Sequence, residues 1–188
     1  TLESKQADGL VLLNTMTFVA GRLNGADHPH PRPPAIQIDN AAAAREMTEY
    51  LIGQGHRRIG MIGGRQKPSF AERDRRFRQT MQEAKLKITN RWILDSENSL
   101  DGGRSAARQI LKCRSGPTAI FCVSDELAIG CMREFQLAGL CGPDDISIVG
   151  FDDIRYAEVT NPPLTTVRQP AEEMGERIVH KLCAAIRG

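Results

Sequence analysis

Short apolar runs that alternate with amphipathic stretches of helical length restrict this chain more than any other feature of its sequence. DGLVLL (8–13), AIQID (35–39), RRIGMIGG (57–64), RWILD (91–95), TAIFCVSD (118–125) and SIVGFDD (147–153) each have the length and character of a buried strand. From residue 40 onward the intervening segments read as helices. Asn40 stands where an N-cap belongs, ahead of AAAAREMTEYLIGQG, in which Ala43, Ala44, Met47, Leu51 and Ile52 form an apolar stripe and Gly53 or Gly55 ends the helix. Further helices are expected over 69–86, 100–113 and 126–140. Strands alternating with helices of this length make βαβ units, hence a parallel sheet covered on both faces. The predicted class is α/β.

In open parallel sheets, ligands bind beyond the carboxyl ends of the strands, where loops and helix N-termini converge. By that rule the informative residues are Asp39, the loop 63–73, Ser124 with Asp125, and Asp152 with Asp153. Each has a plain structural reading as well, since Asp125 and Asp153 suit the start of a helix or turn. Together with Arg73 they describe a cleft of hydrogen-bond acceptors and one cationic fork. Phe121 or Phe70 would add a flat apolar surface. Such a set suits a polyhydroxylated ligand and requires no chemistry on it.

Composition excludes several classes. A formal charge of +2, from 25 Lys and Arg against 23 Asp and Glu, gives no strong field for nucleic acid or a membrane surface. No segment reaches the roughly 20 apolar residues of a membrane helix, and no signal peptide is present. The opening TLESKQADGL reads like the middle of a helix-to-strand unit, so a longer natural chain is expected. The five cysteines are odd in number and form no Cys-x-x-Cys pair, which fits a reducing, cytoplasmic setting. NGADHPHPRPP (24–34) is loop or linker, and His28 and His30 lack a third metal ligand nearby. GGRQKPS lacks the spacing of a phosphate loop, which argues against nucleoside triphosphates. No metal and no cofactor are expected.

GHRRIGMIGG, ERDRRF, PTAIFCVSDELAIG, GPDDISIVGFDDI and NPPLTTVRQP, in that order and over nearly the whole chain, resemble the effector domain of the lactose and galactose repressor (LacI/GalR) family. Within it, AIFCVSD and GFDDI are most similar to nucleoside-responsive members. The resemblance implies a type I periplasmic-binding-protein-like fold: two parallel-sheet lobes, crossover strands near 36–39 and 168–170, and an effector bound between the lobes. Residues 1–37 and 170–188 would belong to an incomplete N-terminal lobe and 38–169 to the C-terminal lobe. Carried over position by position, Arg73 matches the ligand-gripping arginine and Asp152 the carboxylate that takes sugar hydroxyls. Phe121 matches an aromatic that stacks on a base, Ser124 a polar residue facing the ligand, and Gln169 a crossover residue near the cleft; Asp125 would brace a loop. Arg76 stands where the family has glycine before the aromatic Phe77, and the stretch 8–39 is about ten residues short.

The function so implied is sensing of a small sugar or nucleoside by a bacterial repressor, probed as lobe closure that alters operator binding. A homodimer is expected, with Met132 and Phe135 as candidate contacts beside a core reading for both. Operator DNA would be met only through a helix-turn-helix that this chain lacks. The rivals are a periplasmic sugar-binding protein of a transport system, and an enzyme using Asp152 and Asp153 as acid and base. Adjacent strand residues point to opposite faces, which disfavours that enzyme. Substituting Arg73 or Asp152 by alanine is expected to abolish effector binding with little change in melting.

Overall fold

The computed structural model describes residues 9–14, 17–22, 35–36, 38–64 and 67–187. In chain order its elements are β1 (Gly9–Asn14), β2 (Thr17–Arg22), β3 (Ala35–Ile36), α1 (Asn40–Gly53), β4 (Ile59–Gly63), α2 (Pro68–Glu83), β5 (Ile93–Asp95), α3 (Leu100–Leu111), β6 (Ala119–Cys122), α4 (Asp125–Leu137), β7 (Ser147–Val149) and α5 (Ala171–Arg187). The chain divides into two compact units, Thr1–Ile38 with Gln169–Gly188, and Asp39–Arg168. The loop 24–34, with His28 and His30, lies outside the described residues.

The larger unit is a four-stranded parallel sheet in the order β5-β4-β6-β7. Every residue of the two central strands β4 and β6 is buried, which explains why both read as continuous apolar runs without alternation. The connection β4-α2-β5 steps one way along the sheet and β5-α3-β6 steps back. Right-handed crossovers therefore put α2 on one face and α3 on the other. α1 packs on α2, and α3 packs on α4.

Close approach of α3 and α4 depends on two glycines. A Cβ at Gly103 would lie 2.2 Å from the Leu127 carbonyl oxygen, and one at Gly130 would lie 2.1 Å from that of Leu100. At the rim, Arg108 reinforces the contact by donating to Glu134 from Nε at 2.7 Å and from Nη2 at 3.1 Å. At the amino ends of the strands, His56 bridges the hydroxyls of Thr118 and Ser147, each 3.0 Å from a ring nitrogen. Burial holds this imidazole below its ordinary pKa.

The smaller unit departs from a parallel arrangement. Its strands pair antiparallel in the order β1-β2-β3, with Asn14 opposite Thr17. A parallel crossover takes about a dozen residues or more. Only two positions lie between β1 and β2, too few for such a crossover. Ile36, Met174 and Ile178 form the core of this unit, flanked by Ile38 and Leu182. The Met174–Ile178 spacing puts both residues on one face of α5.

One local expectation is corrected. The N-cap of α1 is Asp39, whose carboxylate accepts from the Ala42 amide at 2.8 Å, while the Asn40 side chain accepts from Arg73. Phe135 is 2% exposed, which accords with the core reading set beside a dimer contact, and Met132 is half-buried.

Asp125 opens α4 and braces the segment after β7. Fully buried, it accepts from the Ile154 amide at 2.8 Å and from the Thr166 hydroxyl at 2.5 Å, while its own amide donates to the Phe151 carbonyl at 2.9 Å. Desolvation outweighs these bonds and raises its pKa.

This packing sets expectations for two glycines and for Asp125. Gly130→Ala should destabilise the protein by about 2 kcal/mol or more in urea unfolding, because backbone on both sides must move. Gly53→Ala, at a helical position with nothing within 4 Å, should instead be neutral or stabilising by up to about 1 kcal/mol. For Asp125 the folded state favours the protonated acid, so its contribution is complete below the unfolded carboxylate value and declines as pH rises through the elevated one. The stability of the wild type relative to Asp125→Asn should therefore be greatest in acid and fall toward neutrality; a difference that rises with pH would refute this.

Candidate functional site

The strand order reverses between β4 and β6, and at such a switch point the loops diverge to opposite faces and leave a crevice. α2, which follows β4, carries Arg73 to this place. The chain leaving β6 supplies Val123 and Ser124. The chain leaving β7 turns through Asp152 and Asp153, both with positive φ, at 129° and 55°. Two successive non-glycine residues in that region cost of order 1–3 kcal/mol each. The turn aims the two carboxylates apart: Asp152 toward Arg73, and Asp153 toward Arg168, whose Nε donates to it at 2.5 Å. These carboxylates do not form an acid–base pair.

Arg73 is 1% exposed. Its Nε donates to Asn40 Oδ1 at 2.9 Å and its Nη1 to the Val123 carbonyl at 2.5 Å. The guanidinium carbon Cζ lies over the Phe151 ring, 3.4 Å from its centroid, and 5.6 Å from that of Phe70. Asp152 Oδ1 is 3.7 Å from Nη1, close enough for ion pairing and too far for a hydrogen bond. Burial brings the pKa of Arg73 down to about 10 against the opposing pull of Asp152, Asp125 and Glu72, so the group remains a cation at neutral pH. A guanidinium has five N–H donors. Among the described residues only the Asn40 and Val123 oxygens accept from it, and the rest of the fork is available beside a partly exposed carboxylate.

The remaining expected site residues occupy different surroundings. Ser124 is buried, caps α4 through the Leu127 amide at 3.4 Å, and donates to Asn98 Oδ1. Phe121 is fully enclosed in β6, edge-to-face with Phe77 at 6.3 Å, and offers no open face for stacking. The physical reason is its place on a central strand covered on both faces. Gln169 is buried in the smaller unit, at the start of the segment leading to α5. The glycine-to-Arg76 departure does not displace Arg73, because Arg76 points along the helix toward Glu83, Nη2 to Oε2 3.7 Å.

Asn40, Phe151 and Asn98 were not anticipated as site residues. A signal existed for Phe151, which lies directly before Asp152 in the run GFDD. No signal existed for Asn98, which depends on a fold-dependent approach of two loops. The burial of Arg73 also overturns the expectation of unchanged melting, since truncation would leave Asn40, Val123 and Asp152 facing a void.

Residues 48–188 match the family model described as a periplasmic binding protein-like domain. The ribose operon repressor of Haemophilus influenzae is 40% identical over 80% of this chain and 46% of its own length. The HTH-type transcriptional repressor CytR of Escherichia coli is 34% identical over 98% of this chain and 58% of its own. A crystal structure of a LacI-family regulatory protein from Chloroflexus aggregans superposes with a TM-score of 0.76 at 35% identity, over 81% of this chain and 55% of that one. The chain thus spans about half the length of the relatives it matches. With a parallel sheet whose switch point holds a buried arginine beside a carboxylate, and with these relatives, the chain belongs to the periplasmic-binding-protein-like domain family in the form carried by LacI-family regulators.

Proposed function

We propose that this chain is the effector-sensing part of a bacterial transcriptional repressor and that Arg73 and Asp152 grip a small sugar or nucleoside. The observation that carries this reading is the desolvated guanidinium of Arg73, fixed by Asn40, Val123 and Phe151 yet retaining donors beside Asp152. An arginine fork with an adjacent carboxylate supplies the donors and acceptors that vicinal hydroxyls need. The names of the relatives, a ribose operon repressor and CytR, support a regulator over a transport protein.

In this reading the two units are the N-terminal and C-terminal lobes, Gln169 contributes from the crossover, and Ser124 acts by setting Asn98 and the start of α4. Phe121 supports the strand from within. The effector acts by its differential affinity for two arrangements of the lobes. Operator contact belongs to a helix-turn-helix outside these 188 residues. The domain is read as non-enzymatic and cytoplasmic; all five cysteines are free thiols, and no helix among the described residues is long and apolar enough to cross a membrane. A homodimer is favoured by an apolar groove of about 200 Å³ between α4, β7 and residues 162–165, lined by Met132, Leu140, Pro163 and the half-exposed Tyr50.

Thermal-shift screening with ribose, glucose, cytidine, adenosine and inosine tests the grip. One of these is expected to raise the melting point by several degrees, as binding at 100 Kd adds about 2.7 kcal/mol. Asp152→Asn should erase that shift while melting within a few degrees of wild type; wild-type affinity in this variant overturns the assignment. Arg73→Ala should lose binding and also about 3 kcal/mol of stability. Sedimentation should show a dimer that Met132→Glu converts to monomer.

A further inference from the structure

We infer that Asn40 is a positioning residue for Arg73, and that through it the chain crossing at Ile38–Asp39 sets the orientation of the effector grip. The inference rests on the reading of Arg73 and Asp152 as effector contacts and adds a residue that acts through Arg73.

Asn40 has no capping duty. Asp39 already caps α1, and asparagine inside the first turn competes with helix formation rather than aiding it. It is also 5% exposed, so its amide is buried at the cost of desolvation unless it is well partnered. Its oxygen accepts from Arg73 Nε at 2.9 Å, and this bond has a particular geometric effect. The contact with Phe151, 3.4 Å from Cζ to the ring centroid, holds the guanidinium against the ring without setting where its N–H groups aim. The Val123 carbonyl fixes one point of the fork at Nη1. Asn40 fixes a second point at Nε, and two points determine where the remaining N–H groups aim relative to Asp152.

The place of Asn40 in the chain gives this bond its further meaning. It is the second residue of the larger unit after the boundary at Ile38–Asp39. The opposite partner of the ion pair is anchored at the other boundary. The Asp152 amide donates to the Val167 carbonyl at 3.0 Å, Asp152 bridges to Arg168, and Arg168 pairs with Asp153. Arg168 is the last residue before the second boundary. Both members of the Arg73–Asp152 pair are thus held by residues within two positions of a chain crossing.

The test uses the whole chain and the variants Asn40→Leu, Asn40→Ala and Asn40→Asp. One arm needs no effector: the Arg73 Nε–Hε correlation in nitrogen-15 NMR, assigned by its disappearance in Arg73→Lys. It should be protected from solvent exchange in wild type and in Asn40→Asp, which keeps the acceptor. It should exchange rapidly in Asn40→Leu, which fills the space, and in Asn40→Ala, which empties it. The second arm measures Kd for whichever of ribose, glucose, cytidine, adenosine or inosine binds wild type. Asn40→Leu should weaken it about ten-fold or more, and Asn40→Asp should restore it to within about three-fold. A protected Nε–Hε signal in both Asn40→Leu and Asn40→Ala overturns the inference. If none of the five compounds binds wild type, the effector reading fails while the NMR arm still decides the role of Asn40.

Discussion

A guanidinium withdrawn from water is the constraint around which the larger unit is arranged. Desolvation acts against the charge of Arg73, and each nearby feature offsets part of that cost: an amide oxygen from α1, a carbonyl from the end of β6, an aromatic face after β7 and a carboxylate beyond it. These contributions come from four segments far apart in sequence. The parallel sheet brings them together because the carboxyl ends of its strands all open on the same side. The cation in turn ties the segments to one another, so site and scaffold are not separable here. This is why Arg73 cannot be truncated without structural loss while Asp152, partly exposed, tolerates an isosteric change.

The fold was legible where periodicity alone decides it. Continuous apolar runs at 59–63 and 119–122 mark central parallel strands, and the helices between them follow from 3.6-residue stripes. Arg73 and Asp152 were also legible, by the rule that strand ends face the ligand and by family resemblance. Phe121 shows the limit of that reasoning. An aromatic near a strand end can point to the crevice or into the core, and only the packing of Phe77 against it decides. Asn40 shows a second limit, because two neighbouring polar residues, Asp39 and Asn40, can both cap a helix, and the loser of that competition is the residue available to Arg73.

The paired aspartates illustrate how strain serves position. Both Asp152 and Asp153 have positive φ; Asp153, at 55°, lies in the left-handed region that aspartate tolerates better than most residues, whereas Asp152, at 129°, lies outside it, and the resulting turn sends successive side chains to different cations. In a regular strand continuation the side chains would alternate strictly between faces. Here the strand ends at Val149, and the irregular backbone beyond it makes both contacts possible. The strain is sustained by Asp125, whose bonds to Ile154 and Thr166 hold the segments on either side.

The division of the chain has a consequence for how the molecule is made. Asp39–Arg168 is one uninterrupted stretch, whereas the other unit joins its β-strands to a helix more than 130 positions later. On a ribosome the contiguous part has everything it needs before synthesis ends. The split part has its strands more than 130 positions before α5, whose Met174 and Ile178 cover Ile36. The contiguous part can therefore assemble before the split one, whose strands stay uncovered until α5 is made.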